Sequence, residues 1–345
     1  MKLTNLVRPS IAALKPYSSA RDEYQGSAAS MVFLDANENP FETKVNRYPD
    51  PQQQQLKGVL TEKRGVTNAQ ILLGNGSDEV LDLLFRAFCE PSQDNIITLP
   101  PTYGMYSVLA GINDVENREV LLTPEFQPDI EAILNAQDAR SKLLFICSPN
   151  NPTGNSISEE KIVALLEGFN GLVVVDEAYI DFAETPSWVA RLHEYDNLVV
   201  TQTLSKAYGM AGIRLGMCYA NPEVISILNK IKPPYNVNVL TQEYALRYLQ
   251  NEENFDNRKN LILNEKELLS KKLLQVGFIS KIYSSNANFI LVKVDDANRR
   301  YTELLNEGVV VRNRSTQPLC HDTLRITVGS PDENKKLLTA MKTIS

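Results

Sequence analysis

The stretch Leu198-Val199-Val200-Thr201-Gln202-Thr203-Leu204-Ser205-Lys206-Ala207-Tyr208-Gly209-Met210-Ala211-Gly212-Ile213-Arg214 decides how the rest of the chain is read. Its apolar start, 198–200, has the pattern of a buried strand, which gives way to small and hydroxylated residues carrying one lysine; a second cation, Arg214, follows eight positions on. A lysine amine attacks a carbonyl only as the free base. Lys206 therefore needs a lowered pKa, which a partly desolvated pocket or the neighbouring Arg214 can supply. Ser205 and Arg214 set a hydroxyl and a guanidinium beside that amine, a pair suited to phosphate oxygens. On this stretch alone two readings stay open, an imine-forming lysine beside a phosphate site and a solvated loop lysine.

Outward from it, apolar runs at 71–73, 96–99, 143–147 and 172–175 alternate with helical periodicity, as in Leu81, Leu84, Phe85 and Phe88, and over 129–134 and 159–166. A further strand is expected at 119–122, and 217–220 is expected as an antiparallel member next to the lysine segment. Continuous apolar strands between helices predict an α/β fold with a largely parallel sheet covered on both faces. Polar, aromatic or glycine groups follow the carboxyl ends of five strands, at Gly76, Tyr103, Asn151, Asp176 and Lys206. Open α/β sheets bind ligands at that edge, which favours a site over a set of unrelated turns.

The segment Gly74-Asn75-Gly76-Ser77-Asp78-Glu79 enters a helix with Ser77 as its cap and exposes backbone N–H groups to an anion. A dinucleotide fingerprint would need a third glycine where Glu79 stands, so a single phosphate is the better guest. After Pro233-Pro234 the pattern changes to polar helices over 241–250 and 252–275, with Gly277 closing the second. Strands at 289–294, 309–312 and 324–328 and helices at 299–306 and from Pro331 onward predict a smaller α/β unit. The expected division is a large domain at 31–250 and a small domain built from 1–30 with 251–345. Within 1–30 a short helix and an arm are expected, and 32–34 reads as a short strand leading into Asp35-Ala36-Asn37-Glu38-Asn39-Pro40.

Composition excludes several classes. The chain has 345 residues, 43% hydrophobic and 22% charged, with a net charge of −7 and no basic stripe, which argues against a nucleic-acid surface. No stretch approaches the roughly 20 apolar residues of a membrane span, and no signal-peptide pattern opens the chain. His193 and His321 stand apart, and Cys89, Cys147, Cys218 and Cys320 are scattered, so no metal site is expected. The cysteines read as reduced thiols of a cytoplasmic protein.

One small molecule carries both an aldehyde for Lys206 and a phosphate for its flanking groups, namely pyridoxal 5'-phosphate. Its ring nitrogen needs a carboxylate, because the protonated ring is the electron sink, and Asp176 at the end of an apolar run has that placement. Asn151 and Tyr179 are candidates to hold the phenolic oxygen, and Tyr103 to stack on the ring.

These residues sit in recognisable motifs. Ser148-Pro149-Asn150-Asn151-Pro152-Thr153-Gly154, Asp176-Glu177-Ala178-Tyr179 and Thr203-Leu204-Ser205-Lys206 with Arg214 resemble the signatures of fold-type I aminotransferases, classes I and II. Leu34-Asp35-Ala36-Asn37-Glu38-Asn39-Pro40, Arg47-Tyr48-Pro49-Asp50, Thr102-Tyr103-Gly104-Met105-Tyr106 and Leu324-Arg325-Ile326-Thr327-Val328-Gly329 are similar to motifs of the histidinol-phosphate aminotransferases within that family. The segment after Lys206, Ala207-Tyr208-Gly209-Met210, and Lys293 depart from the family pattern.

The resemblance implies a pyridoxal-phosphate transaminase working on histidinol phosphate and the glutamate/2-oxoglutarate pair in histidine biosynthesis. Lys206 would be the imine-forming lysine, with Asp176 against the ring nitrogen and Tyr103 stacked. Asn151 and Tyr179 would take the phenolic oxygen. Ser205, Arg214 and the backbone at Ser77 and Asp78 would hold the cofactor phosphate, with Tyr48 reaching it from a neighbouring subunit in a homodimer with shared sites. Tyr17, Asn37, Arg312 and Arg325 would recognise substrate; Arg312 is preferred to Arg314 because it lies thirteen residues before Arg325, as in the family. An aminotransferase for aromatic amino acids and a threonine-phosphate decarboxylase, both of the same fold, are the alternatives.

Overall fold

The computed structural model describes residues 3–17, 31–251 and 254–345. Seven strands form the large sheet, β1 (Ile71–Asn75), β2 (Asn95–Thr98), β3 (Glu116–Glu119), β4 (Ser141–Cys147), β5 (Leu172–Asp176), β6 (Leu198–Thr203) and β7 (Leu215–Ala220). They lie in the order β1-β7-β6-β5-β4-β2-β3. The pairs from β6 through β3 are parallel, while β7 runs antiparallel to both β6 and β1.

The central strands carry continuous apolar runs, at 143–147, 172–175 and 198–200, because both faces are covered there. Alternate residues point to opposite sides. Leu144, Ile146, Val173, Val175, Leu198 and Val200 join the core under the helices Gln54–Arg64, Glu159–Gly168 and Val239–Gln250. Leu143, Phe145, Leu172, Val174 and Val199 enter the opposite core, under Gly76–Phe88, Met105–Ile112 and Pro222–Ile231. With β7 reversed, six strands send their carboxyl ends to one edge, and β7 brings its amino end there, so Arg214 arrives where Lys206 departs.

The smaller sheet is wholly antiparallel, in the order β10-β11-β9-β8, from β8 (Ile279–Ile282), β9 (Phe289–Val294), β10 (Arg312–Asn313) and β11 (Thr323–Thr327). Helices Phe255–Leu273, Ala297–Asn306 and Pro331–Thr343 cover one face, around Leu273, Ile290, Val292, Leu304, Leu324 and Met341. Phe289 turns the other way and meets Tyr179 edge-on, with ring centres 5.2 Å apart.

Several expectations need correction. Residues 32–34 form no strand; Val32 and Leu34 are 82% and 85% exposed, and Phe33 O accepts from the Arg47 side chain at 3.4 Å. The strand expected at 119–122 lies at Glu116–Glu119, a polar edge strand whose pattern carries no apolar signal. The strand expected at 309–312 is cut to Arg312–Asn313, and Gly277 lies beyond the helix it was to close. Leu3 and Leu6 are buried in the core around Leu72 and Phe85, and the Arg8 N–H donates to Ala87 O at 3.0 Å. The described residues 3–12 therefore pack on the seven-stranded unit, because their leucines find an apolar helical layer there, and not on the small one.

Candidate active site

A cavity of about 500 Å³ opens at the ligand edge of the large sheet. Eleven sequence-predicted residues line it, Ser77, Asp78, Tyr103, Asn151, Asp176, Tyr179, Ser205, Lys206, Arg214, Arg312 and Arg325, together with Gly76 and Arg314.

Asp176 ends β5 and is buried. Its Oδ2 accepts from the Tyr106 hydroxyl at 2.7 Å and its Oδ1 from the Ala178 N–H at 3.1 Å. Burial pushes the carboxyl's pKa up, and those two hydrogen bonds oppose the shift. Among the described residues it has no cationic partner in contact, so a buried carboxyl waits for a positive group from a ligand.

Lys206 sits in the turn after β6, fixed where Met210 N–H donates to Leu204 O at 3.0 Å and Gly209 N–H to Lys206 O at 3.0 Å. Its Nζ lies 5.6 Å from the centre of the Tyr179 ring. Burial lowers the amine's pKa first and the Arg325 guanidinium next, while Asp176 and Asp78 pull it back up. The sequence pointed to Arg214 as the lowering cation. Arg214 lowers it less than Arg325 does, and pairs with Asp78, Nη2 to Oδ2 at 3.7 Å.

The phosphate-sized corner lies between two backbone segments. Gly76 has φ +74°, and a Cβ on it would stand 2.7 Å from Arg214 Nη2; a Cβ on Gly216 would stand 2.3 Å from Ser77 N. Gly216 is therefore required for the close approach of the two segments, and Gly76 for its left-handed backbone, at the helix start that offers the first-turn N–H groups of Ser77 and Asp78. Glu79, which spoiled the dinucleotide pattern, accepts from Asn75 N–H and from Asn236 Nδ2 at 2.9 Å, and so fixes the same turn. Tyr103 donates its hydroxyl to Asp78 Oδ1 at 3.1 Å, and burial with that carboxylate raises its pKa.

The far wall comes from the small sheet. Arg312 stands directly opposite Arg325 in the β10–β11 ladder. The Arg325 guanidinium lies 5.2 Å from the Phe289 ring centre and donates through Nη1 to Asn151 Oδ1. Burial lowers the Arg325 pKa.

Three expected residues lie elsewhere. Tyr17 is 75% exposed, while Asn37 and Tyr48 border a separate hollow that also includes Tyr235, on which Tyr48 stacks at 4.5 Å. They belong to exposed surface segments. Sequence reasoning missed Tyr106, although its place in an apolar helix with a hydroxyl needing a partner was a usable signal. Arg314, set second to Arg312, lines the cavity as well.

The model of the class I and II aminotransferases matches residues 26–341, nearly the whole chain. The chain belongs to the class I and II aminotransferases. A histidinol-phosphate aminotransferase of Christiangramia forsetii is 61% identical over 340 residues, 99% of this chain and 97% of that relative. The crystal structure of the histidinol-phosphate aminotransferase of Clostridium acetobutylicum superposes with a TM-score of 0.80 at 25% identity, covering 87% of this chain and 91% of that one. That of Sinorhizobium meliloti, in complex with pyridoxal-5'-phosphate, has a TM-score of 0.80 at 23% identity over 88% of this aminotransferase and 84% of that chain. Among the described residues no helix is long and apolar enough to cross a membrane.

The cavity of this aminotransferase fits pyridoxal phosphate. It offers an amine held towards its neutral form, a buried carboxyl lacking a cation, and a glycine-lined helix start beside Arg214.

Proposed function

We propose that this chain is a transaminase that uses pyridoxal 5'-phosphate to move the amino group of L-histidinol phosphate to 2-oxoglutarate, giving imidazole-acetol phosphate and glutamate, reversibly and by ping-pong turnover. The observation that carries this reading is that Lys206 shares one cavity with Arg312, Arg314 and Arg325, which have no acidic partner among the described residues, in a chain 61% identical to a histidinol-phosphate aminotransferase.

When bound, the cofactor supplies the aldehyde that accepts the amino group and the electron-withdrawing ring that acidifies the substrate's amine-bearing carbon. Asp176 would face the ring nitrogen as a carboxylate, its orientation fixed by Tyr106 and Ala178. Ser77, Asp78, Ser205 and Arg214 would hold the phosphate, Asn151 and Tyr179 the phenolic oxygen, and Tyr103 one ring face. Lys206 Nζ would take the proton from the amine-bearing carbon of the substrate and deliver it to the carbon that accepts the amino group, on the other side of the nitrogen, acting as base and then acid. The burial and cationic neighbours that lower its pKa serve that role. Arg312 and Arg325 would grip the anionic end common to both substrates, a phosphate in one and a carboxylate in the other.

Completion of the site would come from a second copy of the chain. Tyr48, Asn37 and Tyr17 lie outside the cavity, on segments that also expose Val32, Leu34 and Phe41. We read these as the surface of a homodimer with shared sites, Tyr48 reaching the partner's cofactor phosphate. We assign 31–250, with residues 3–12 packed on it, to the large unit and 251–345 to the small one, which departs from the expected grouping of 1–30 with the small domain; each unit has its own apolar core. Four free, buried cysteines support a cytoplasmic setting.

The test is amino transfer measured as glutamate formed from histidinol phosphate and 2-oxoglutarate by the purified enzyme, against phenylalanine as donor at equal concentration and against CO2 release from threonine phosphate. Turnover with histidinol phosphate at least tenfold above phenylalanine, without CO2 release, is expected. Preference for phenylalanine, or decarboxylation, would replace the reading with one of its same-fold rivals.

A further inference from the structure

On a strand, residues two apart share a face, so the sequence Val311-Arg312-Asn313-Arg314 puts two guanidiniums on one side of the chain. The ladder adds a third. Arg312 lies opposite Arg325, Asn313 lies opposite Leu324, and the Arg314 N–H donates to Thr323 O at 2.9 Å. All three side chains line the same cavity. Like charges facing each other across an antiparallel pair are destabilising, so a fold that keeps them is organised around something they bind.

No acid within the described residues balances them. The carboxylates lining the cavity are Asp78 and Asp176, and each is engaged elsewhere, Asp78 by Tyr103 and Arg214, Asp176 by Tyr106 and the Ala178 N–H. Arg325 has Asn151 as its side-chain partner, and its buried Nε has none. Arg314 Nε is likewise buried without a partner. Burial, Arg325 and Arg312 together push the Arg314 pKa down to about 10, the mark of an under-neutralised cluster. Arg312, by contrast, is exposed, and water meets part of its need.

One carboxylate satisfies one guanidinium fork. Three guanidiniums exceed a monoanion and suit a group with close to two charges and three acceptor oxygens, as a phosphate monoester has. Resting on the transaminase reading above, we propose that Arg314 is a specificity-determining residue that joins Arg312 and Arg325 in an anion site matched to dianionic substrate ends, and that its share of binding is given to dianions over monoanions.

The test uses the cofactor-loaded enzyme and inorganic phosphate as a competitive inhibitor against histidinol phosphate. In Arg314→Gln the inhibition constant of phosphate and the KM of histidinol phosphate should both rise roughly 10- to 100-fold, as for loss of a hydrogen bond to a charged group. The loss should fall mainly on KM and leave kcat nearly alone, as for an interaction made equally in ground and transition states. Acetate, a monoanion, should lose no more than a few-fold as an inhibitor. Equal losses for phosphate and acetate, or an unchanged phosphate constant, would overturn the assignment. Should Arg314→Gln lose its cofactor absorbance, Arg314→Lys keeps the charge without the fork, and an intermediate rise in the phosphate constant is then required; no rise overturns it. A wild-type enzyme inert towards histidinol phosphate would instead sink the transaminase reading, and phosphate inhibition could then be scored against whichever amino donor it uses.

Discussion

The two walls of the cavity differ in how far their polar groups are already satisfied. On the large-sheet wall, Asp176 holds two hydrogen bonds, Asp78 is met by Tyr103 and Arg214, and Thr203 Oγ accepts from the Ser205 N–H at 3.1 Å. On the small-sheet wall, Arg314 and Arg325 each keep a buried, unpartnered Nε. A wall whose groups are tied to one another is preorganised for chemistry, because nothing has to be reoriented when charge develops. A wall left short of partners gains most when a ligand arrives, and its cost in the free protein is the desolvated charge. On the proposed reading, chemistry falls to the large sheet and recognition to the small one.

That contrast can be broken by substitution, starting with the largest expected effect. Lys206→Ala should reduce glutamate formation by more than about 1,000-fold, in the upper range for loss of a general acid and base, with the circular-dichroism spectrum retained. Turnover within tenfold of wild type would remove Lys206 from the chemistry. Asp176→Asn keeps the shape and the Tyr106 contact but removes the charge, and kcat should fall roughly 100- to 1,000-fold. Both changes should leave the inhibition constant of phosphate nearly unaltered, which is the property that separates the walls.

Arg325→Gln addresses the other wall. KM for histidinol phosphate should rise roughly 10- to 100-fold. The same change should reach Lys206, because Arg325 is the leading cation lowering that amine's pKa. Removing it raises the pKa, so in the cofactor-free protein the reactive neutral amine appears only at higher pH. The pH dependence of its reaction with a small aldehyde would measure the shift, and a shift towards lower pH would contradict the geometry.

Gly216→Ala tests the cradle, since its methyl would stand 2.3 Å from Ser77 N. Overpacking of this kind costs about 1–3 kcal/mol. The expected readout is weaker cofactor binding in a fluorescence titration. The smallest effect on turnover is expected at Glu177, buried beside Asp176 but turned away to Ser187, Gln202 and the Trp188 N–H. Burial raises its carboxyl pKa to about 7. The folded state therefore favours the protonated form, and stability from this group is full below the ordinary carboxyl range and lost as pH rises through 7. Glu177→Gln should flatten the decline of Tm between pH 5 and 8; an unchanged slope would count against the shift.

Legibility in the sequence followed burial. The apolar runs that became β4, β5 and β6 were plain because strands covered on both faces need no polar alternation. β3, with sequence Glu-Asn-Arg-Glu, and β8, with Ile-Ser-Lys-Ile, are edge strands whose patterns resemble loops, and the first was misplaced while the second went unseen. The strand-end groups were legible because each follows such a run, from Gly76 to Lys206. Tyr106 is legible only as a helical hydroxyl in need of a partner; the partner itself is fixed where a helix crosses the end of β5, a relation between residues 70 positions apart. Ranking Arg312 over Arg314 rested on spacing, which fixes a ladder partner but not how deep a side chain sits.

The ladder rung that sets Arg312 against Arg325 is carried by a strand of only two residues. Shifting such a pairing by one residue turns each side chain to the opposite face. A one-residue slip of that rung would swing a guanidinium out of the cavity while leaving the hydrophobic core intact. A folded, cofactor-loaded, substrate-blind enzyme is the signature such a slip would leave.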